Sequence, residues 1–236
     1  MFKEKKVIIF DMDGTLIDSV GVWNQVDREL IRRLGNVKIS EEEVQKQRDD
    51  KLREYSKEEN PYSEYCRYLG ERYESLLTPE EIHALRYDIA NEFLVHKIDY
   101  KPSVEKVLQK LKESGKTLVI ATTTRKKNMD IYRYENENIR KKAAIDEYFT
   151  LVYTREDVKE MKPHPEIYLK VMETLGVEAK DCLIFEDSLI GVEAANRTGV
   201  EVVAIYDKYS EKDNSEIQER ATYYMKDFDE VEEHIR

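Results

Sequence analysis

Two aspartates one residue apart, Asp11 and Asp13, follow directly on four apolar residues, Val7-Ile8-Ile9-Phe10, and lead into Gly14 and Thr15. A parallel strand buried on both faces reads as a continuous apolar run. Ligands of such sheets bind just beyond the carboxyl ends of the strands. The aspartates therefore stand where this architecture does chemistry, and strand alternation directs them to the same side. Together they can hold a hard cation, and one can attack an electrophile while the other carries a proton. A calcium loop also opens on two spaced acids, but its twelfth position must be a bidentate Glu. Counted from Asp11 that position is Val22, which excludes a calcium loop.

Three further groups suit the same chemistry. A second apolar run, Thr117 to Ala121, ends in Thr122-Thr123-Thr124, whose hydroxyls and backbone N–H groups can cradle phosphate oxygens. Lys162 lies in Lys162-Pro163-His164-Pro165, a proline-stiffened loop that can present its ammonium as a fixed point charge. Glu186 and Asp187 end the run Cys182-Leu183-Ile184-Phe185, and two adjacent acids at the end of a buried strand are costly unless paired or metal-bound. His83, His96, His164 and His234 show no metal-site spacing.

The elements that must position these groups follow from periodicity. Short apolar runs at Val7–Phe10, Thr117–Ala121, Leu151–Tyr153, Cys182–Phe185 and Val202–Ile205 predict strands. Between the later runs lie helical patterns, such as Val104, Val107, Leu108 and Leu111 before Gly115, and Ile167, Tyr168, Val171, Met172 and Leu175 before Gly176. Alternation of this kind implies an α/β fold, a parallel sheet with helices on both faces. One stretch, from about Val20 to Val95, carries no strand pattern and predicts five or so helices. Ser40-Glu41-Glu42-Glu43 and Thr78-Pro79-Glu80-Glu81 read as helix starts, and Asn60-Pro61 as a break. It is an inserted helical domain with linkers near Ser19 and Tyr100-Lys101-Pro102.

The chain has 236 residues, enough for a full core and a second small domain. Its net charge of −11 argues against a nucleic-acid backbone as partner, which requires a clustered basic surface. It leaves small phosphorylated molecules open, since they need only local positive charge. Cys66 and Cys182 suit a reducing compartment and read as inert core thiols. The short apolar run before Asp11 is neither a signal peptide nor a membrane span. The expected setting is cytoplasmic, with no membrane partner and a monomeric state.

In order and spacing, Asp11-Met12-Asp13-Gly14-Thr15, Thr122, Lys162-Pro163 and Glu186-Asp187 resemble the four motifs of the haloacid dehalogenase-like hydrolases over essentially the whole chain. The resemblance implies a Rossmann-like core at residues 1–19 and 96–236 and an all-helical C1-type cap at 20–95, close to β-phosphoglucomutase and its phosphatase relatives. It implies a Mg2+-dependent phosphatase of a small phosphorylated metabolite. Asp11 would be the nucleophile that becomes an aspartyl-phosphate, and Asp13 the general acid and base. Thr122, Thr123 and Lys162 would bind phosphate, and Asp11, Asp13 (through its carbonyl), Glu186 and Asp187 the metal. Asp13 argues for an oxygen leaving group, because dehalogenase relatives lack it. The rival readings are a hexose-phosphate mutase, for which Arg48 would be the cap arginine, and a non-catalytic phospho-ligand-binding protein. The segment from Arg125 to Tyr148 is longer than in compact members. Trp23, just past the first linker, is either a cap-core aromatic or a residue near the site, and the insert is expected to act as a lid that sets specificity.

Overall fold

The computed structural model describes residues 1–55 and 57–235. The chain forms two compact units, Met1–Val20 with Ile98–Arg236, and Gly21–Lys97. Among the described residues no helix is long and apolar enough to cross a membrane.

The elements in chain order are β1 (Val7–Phe10), α1 (Val22–Gly35), α2 (Glu41–Glu54), α3 (Pro61–Arg72), α4 (Pro79–His96), α5 (Val104–Glu113), β2 (Thr117–Ala121), α6 (Lys126–Tyr134), α7 (Glu137–Ala143), α8 (Ile145–Tyr148), β3 (Leu151–Tyr153), α9 (Glu166–Leu175), β4 (Cys182–Glu186), α10 (Leu189–Asn196), β5 (Glu201–Ile205), α11 (Asn214–Arg220), β6 (Tyr223–Met225) and α12 (Phe228–Glu233). The strands form one parallel sheet in the order β3-β2-β1-β4-β5-β6. The order reverses between β1 and β4, so their carboxyl ends form the crevice where open α/β sheets bind ligands.

Register decides what meets there. Phe10 pairs with Phe185 on one side and with Ile120 on the other. The next residues, Asp11, Glu186 and Ala121, are therefore neighbours across three strands. On one face of the sheet Val7, Ile9, Cys182, Ile184, Val119 and Ala121 pack under Ile167, Tyr168 and Val171 of α9 and Val192, Ala194 and Ala195 of α10. Side chains alternate along a strand, so Asp11 continues the row Val7, Ile9, and Glu186 continues Cys182, Ile184. The opposite face carries Phe10 stacked on Phe185 at 4.8 Å and Phe185 on Phe228 at 6.1 Å.

β6 has no counterpart in the sequence reading. It is three residues at the sheet edge with two half-buried tyrosines, too short and too polar to form an apolar run. In the helical unit, four helices run among the described residues rather than five or so, because residues 73–78 form turns and not a further helix. The chemistry of the helix starts is as read. Ser40 with Glu43, and Thr78 with Glu81, form reciprocal caps, and Asn60 caps a helix that opens on Pro61. The unit has its own apolar core of Val26, Leu30, Ile31, Val44, Leu69, Ile82 and Ile89. Within it lies an ion network: fully buried Asp27 accepts from Arg86 Nε at 2.6 Å and from Arg48 at 2.9 Å. The Arg86 guanidinium faces the rings of Trp23 at 4.7 Å and Tyr62 at 5.2 Å. Trp23 and Arg48 are thus engaged inside the helical unit.

Candidate active site

The strand ends bring Asp11, Glu186 and Asp187 together, with ligand oxygens of all three within 4.8 Å of one another and all three residues buried. Lys162 enters from the loop before α9. Its Nζ donates at 2.6 Å to Asp11 Oδ1, at 2.6 Å to Glu186 Oε1 and at 3.0 Å to the Ala121 carbonyl. Tyr168, one turn into α9, donates to the same Glu186 oxygen. Thr15 donates to Asp187 Oδ1 at 2.7 Å.

Three carboxylates face one ammonium in a water-poor site, and the acidities register the imbalance. Burial pushes the Asp11 carboxyl up to about 7, with Lys162 opposing and Glu186 adding to the rise. Asp187 is raised well above the usual carboxylate range by burial, then by Glu186 and Asp11, with the Thr15 hydrogen bond opposing. Burial works against the charge of Lys162, yet Asp11 and Glu186 outweigh it and hold the ammonium well above its usual range. Such a cluster has negative charge to spare. Closely set hard oxygen donors with uncompensated charge suit a hard divalent cation.

Two glycines leave the room for it. A Cβ on Gly14, whose φ is +86°, would stand 2.3 Å from Asp187 Oδ2, and one on Gly191 would stand 2.0 Å from the Glu186 carboxylate. Gly14 also permits a left-handed turn that side chains resist.

Asp13 is placed differently. β1 ends at Phe10, so alternation no longer governs Asp13, which lies in the turn that follows. Its carboxylate is not one of the three that cluster. It is ringed by hydroxyls instead: Ser19 Oγ and Tyr132 OH (3.2 Å) donate to Oδ1, and Thr124 Oγ1 donates to Oδ2. Of the threonine run, Thr122 is buried at the strand end, with its hydroxyl 2.9 Å from that of Thr124 and accepting from the Thr124 N–H at 3.2 Å. Thr123 is half-buried between them. Sequence reading singled out Thr122 and Thr123, whereas the side chain that touches Asp13 is that of Thr124. It also passed over Ser19, Tyr132 and Tyr168 as site residues. Tyr168 was legible only as an apolar position of α9. Tyr132 sits in the long Arg125–Tyr148 segment, and that extra length was the one signal pointing to it. The Tyr132 phenol is held well above its usual range by burial and by Asp13, which keeps it a donor.

Comparison with known proteins fits this arrangement. Residues 8–205 match the family model of the haloacid dehalogenase-like hydrolases. The chain belongs to that family. It is 29 % identical over 204 residues to the "Putative phosphatase YhcW" of Bacillus subtilis (strain 168), covering 86 % of this chain and 84 % of that protein. It is 28 % identical over 196 residues to the "Phosphorylated carbohydrates phosphatase" of Thermotoga maritima, covering 83 % and 82 %. Among solved structures, a "putative beta-phosphoglucomutase from Thermotoga maritima" superposes with a TM-score of 0.69 at 26 % identity over 94 % of both chains. The chain is thus an enzyme that stands with the phosphatases of its family, in the β-phosphoglucomutase-like branch.

Proposed function

We propose that this enzyme is a Mg2+-dependent phosphomonoesterase of a small phosphorylated metabolite, working through an aspartyl-phosphate on Asp11. The observation that carries the proposal is the Asp11–Lys162–Glu186 bridge beside a separately held Asp13. One carboxylate is set among charges that favour a phosphoryl group, and a second is set among groups that suit proton traffic. The relatives named as phosphatases support the same reading.

Asp11, Glu186 and Asp187, with the backbone carbonyl of Asp13, would hold the Mg2+ ion. When bound, the ion supplies positive charge to the phosphoryl oxygens, as phosphoryl transfer requires. Thr122, Thr123 and Lys162 bind those oxygens. The Asp11 carboxylate attacks phosphorus in line, forming an O–P bond as the ester P–O bond breaks. Asp13 gives its proton to the departing oxygen. It then takes a proton from the water that attacks phosphorus, which breaks the Asp11–phosphate bond and releases inorganic phosphate.

A hexose-phosphate mutase is the second reading, favoured by the β-phosphoglucomutase-like fold. The arginine it would use for a second phosphate, Arg48, is bonded to Asp27 and lies 3.5 Å from Asp49, so its charge is already engaged. We therefore place hydrolysis first. The test is a panel of phosphorylated metabolites with Mg2+, scoring phosphate release separately from isomerisation. Asp11→Asn is expected to abolish turnover with the fold intact. Wild-type turnover by that variant would rule out the covalent route.

A further inference from the structure

The Asp13 carboxylate has more donors than a free general acid needs, and they are unequal. Oδ1 accepts from both Ser19 and Tyr132, whereas Oδ2 has the Thr124 hydroxyl. Thr124 has a second partner for its hydroxyl, Thr122 Oγ1 at 2.9 Å, and either oxygen of that pair can be the donor. The bond to Oδ2 can be exchanged by turning one hydroxyl, while Oδ1 is fixed from two sides.

Tyr132 is delivered by a rigid frame. It is 2 % exposed, in α6. The turn after α6 is fixed by Asn136, which is fully buried. Asn136 donates to the Ile98 carbonyl at 2.9 Å and caps α7 by accepting from Ile139 N at 2.8 Å. Tyr100 OH ties the end of α7, donating to the Ala143 carbonyl at 2.7 Å. A side chain held this way keeps its geometry as neighbouring groups exchange partners, which is what positioning at a reacting centre demands.

We infer that Tyr132 is a positioning residue for Asp13: it anchors Oδ1 and leaves Oδ2 as the oxygen that exchanges a proton with the leaving group and with water. The long segment between β2 and β3 thereby becomes part of the machinery. The inference rests on the hydrolase reading above. In the step it serves, the Asp13 Oδ2–H bond breaks as the ester oxygen departs, and the proton passes to that oxygen.

The test is Tyr132→Phe, which removes the hydroxyl and keeps the ring. With p-nitrophenyl phosphate and Mg2+, the leaving group needs no proton. The burst of p-nitrophenolate that reports transfer to Asp11 should stay within about twofold of wild type, while steady-state phosphate release falls about tenfold or more. With an alkyl phosphate such as glucose 6-phosphate, kcat should fall by about tenfold or more and KM change by less than about threefold. In an Asp13→Asn background, adding Tyr132→Phe should cost nothing further, because the residue acts through Asp13. Ser19→Ala, which removes the other donor to Oδ1, should give the same split and serves if Tyr132→Phe does not fold. Equal loss of burst and turnover, or a further loss on Asp13→Asn, would overturn the inference. If wild-type protein releases no phosphate with Mg2+, or Asp11→Asn stays active, it is the hydrolase reading that fails.

Discussion

The ammonium of Lys162 has three protons and three acceptors, two of them carboxylates of the candidate metal site. It partly neutralises the cluster and leaves the remainder to a proton or a cation, which must then compete. The Asp11 carboxyl is raised to about 7 in the folded chain. Its ordinary value lies near 4, so the metal-free native state holds a proton that the unfolded chain has lost between those values. That contribution to stability is complete at the acidic end and disappears as pH rises through about 7. Mg2+ must displace the same proton. Apparent Mg2+ affinity should therefore weaken about fivefold from pH 7 to pH 6, with proton release on binding. The gap in melting temperature between Mg2+-loaded and chelated protein should be wider at pH 8 than at pH 6. A gap independent of pH would show that Asp11 does not titrate in this range.

At the scale of elements, α10 must begin against Glu186 without touching it, and Gly191 supplies that clearance. Alanine is a better helix former than glycine, so Gly191→Ala leaves α10 intact. Its Cβ pushes the Glu186 carboxylate out of place. The variant should melt within a few degrees of wild type and require about tenfold or more Mg2+ for half-maximal activity. An unchanged Mg2+ titration would remove Glu186 from the metal site. Much of this element-level design was legible beforehand. Five of the six strands declared themselves as apolar runs; β1, β2, β4 and β5 are buried almost throughout, and β3 is apolar but half-buried. Asp11 and the Glu186-Asp187 pair were readable because buried charge at strand ends has few innocent explanations, and Lys162 through the resemblance of Lys162-Pro163 to a family motif. Thr124, Tyr132 and Ser19 were not, because a hydroxyl that meets Asp13 across the fold leaves no trace of that contact in local periodicity. The turn at Asp13 also lies beyond strand logic, since β1 ends at Phe10.

For the whole molecule, the division of labour between the two units is the testable point. Every residue proposed for catalysis belongs to the sheet unit, and the helical unit has a core and ion network of its own. Asp27 holds two arginines in that network, and its removal would leave buried cations unpaired. Asp27→Ala should cost about 3–5 kcal/mol, with loss of hydrogen-exchange protection confined to residues 21–97. Protection lost equally in both units would show that they unfold as one. The chemistry is common to any phosphoester, so we propose that substrate choice resides in the helical unit. Replacing residues 21–97 with the counterpart from a relative should change the ranking of phosphoesters while dependence on Asp11 persists. An unchanged ranking would move specificity to the Arg125–Tyr148 segment.

The strand order has a consequence for how the molecule is made. β1 is the first strand to be synthesised, yet it occupies the middle of the sheet, with Val7 beside Thr117 and Cys182. A growing chain must carry this apolar strand with both edges open through the synthesis of the helical unit, whose core lies within residues 21–97 and can form once they are complete. The site exists only late, since Asp11 waits for Lys162 and Glu186 and Thr15 waits for Asp187. Non-local pairing of this kind is slow and exposes edges that other chains can add to. The helical unit should therefore gain protection before the sheet when the chain folds, and the hazard of misassembly during synthesis is concentrated in the residues that will later bear the nucleophile.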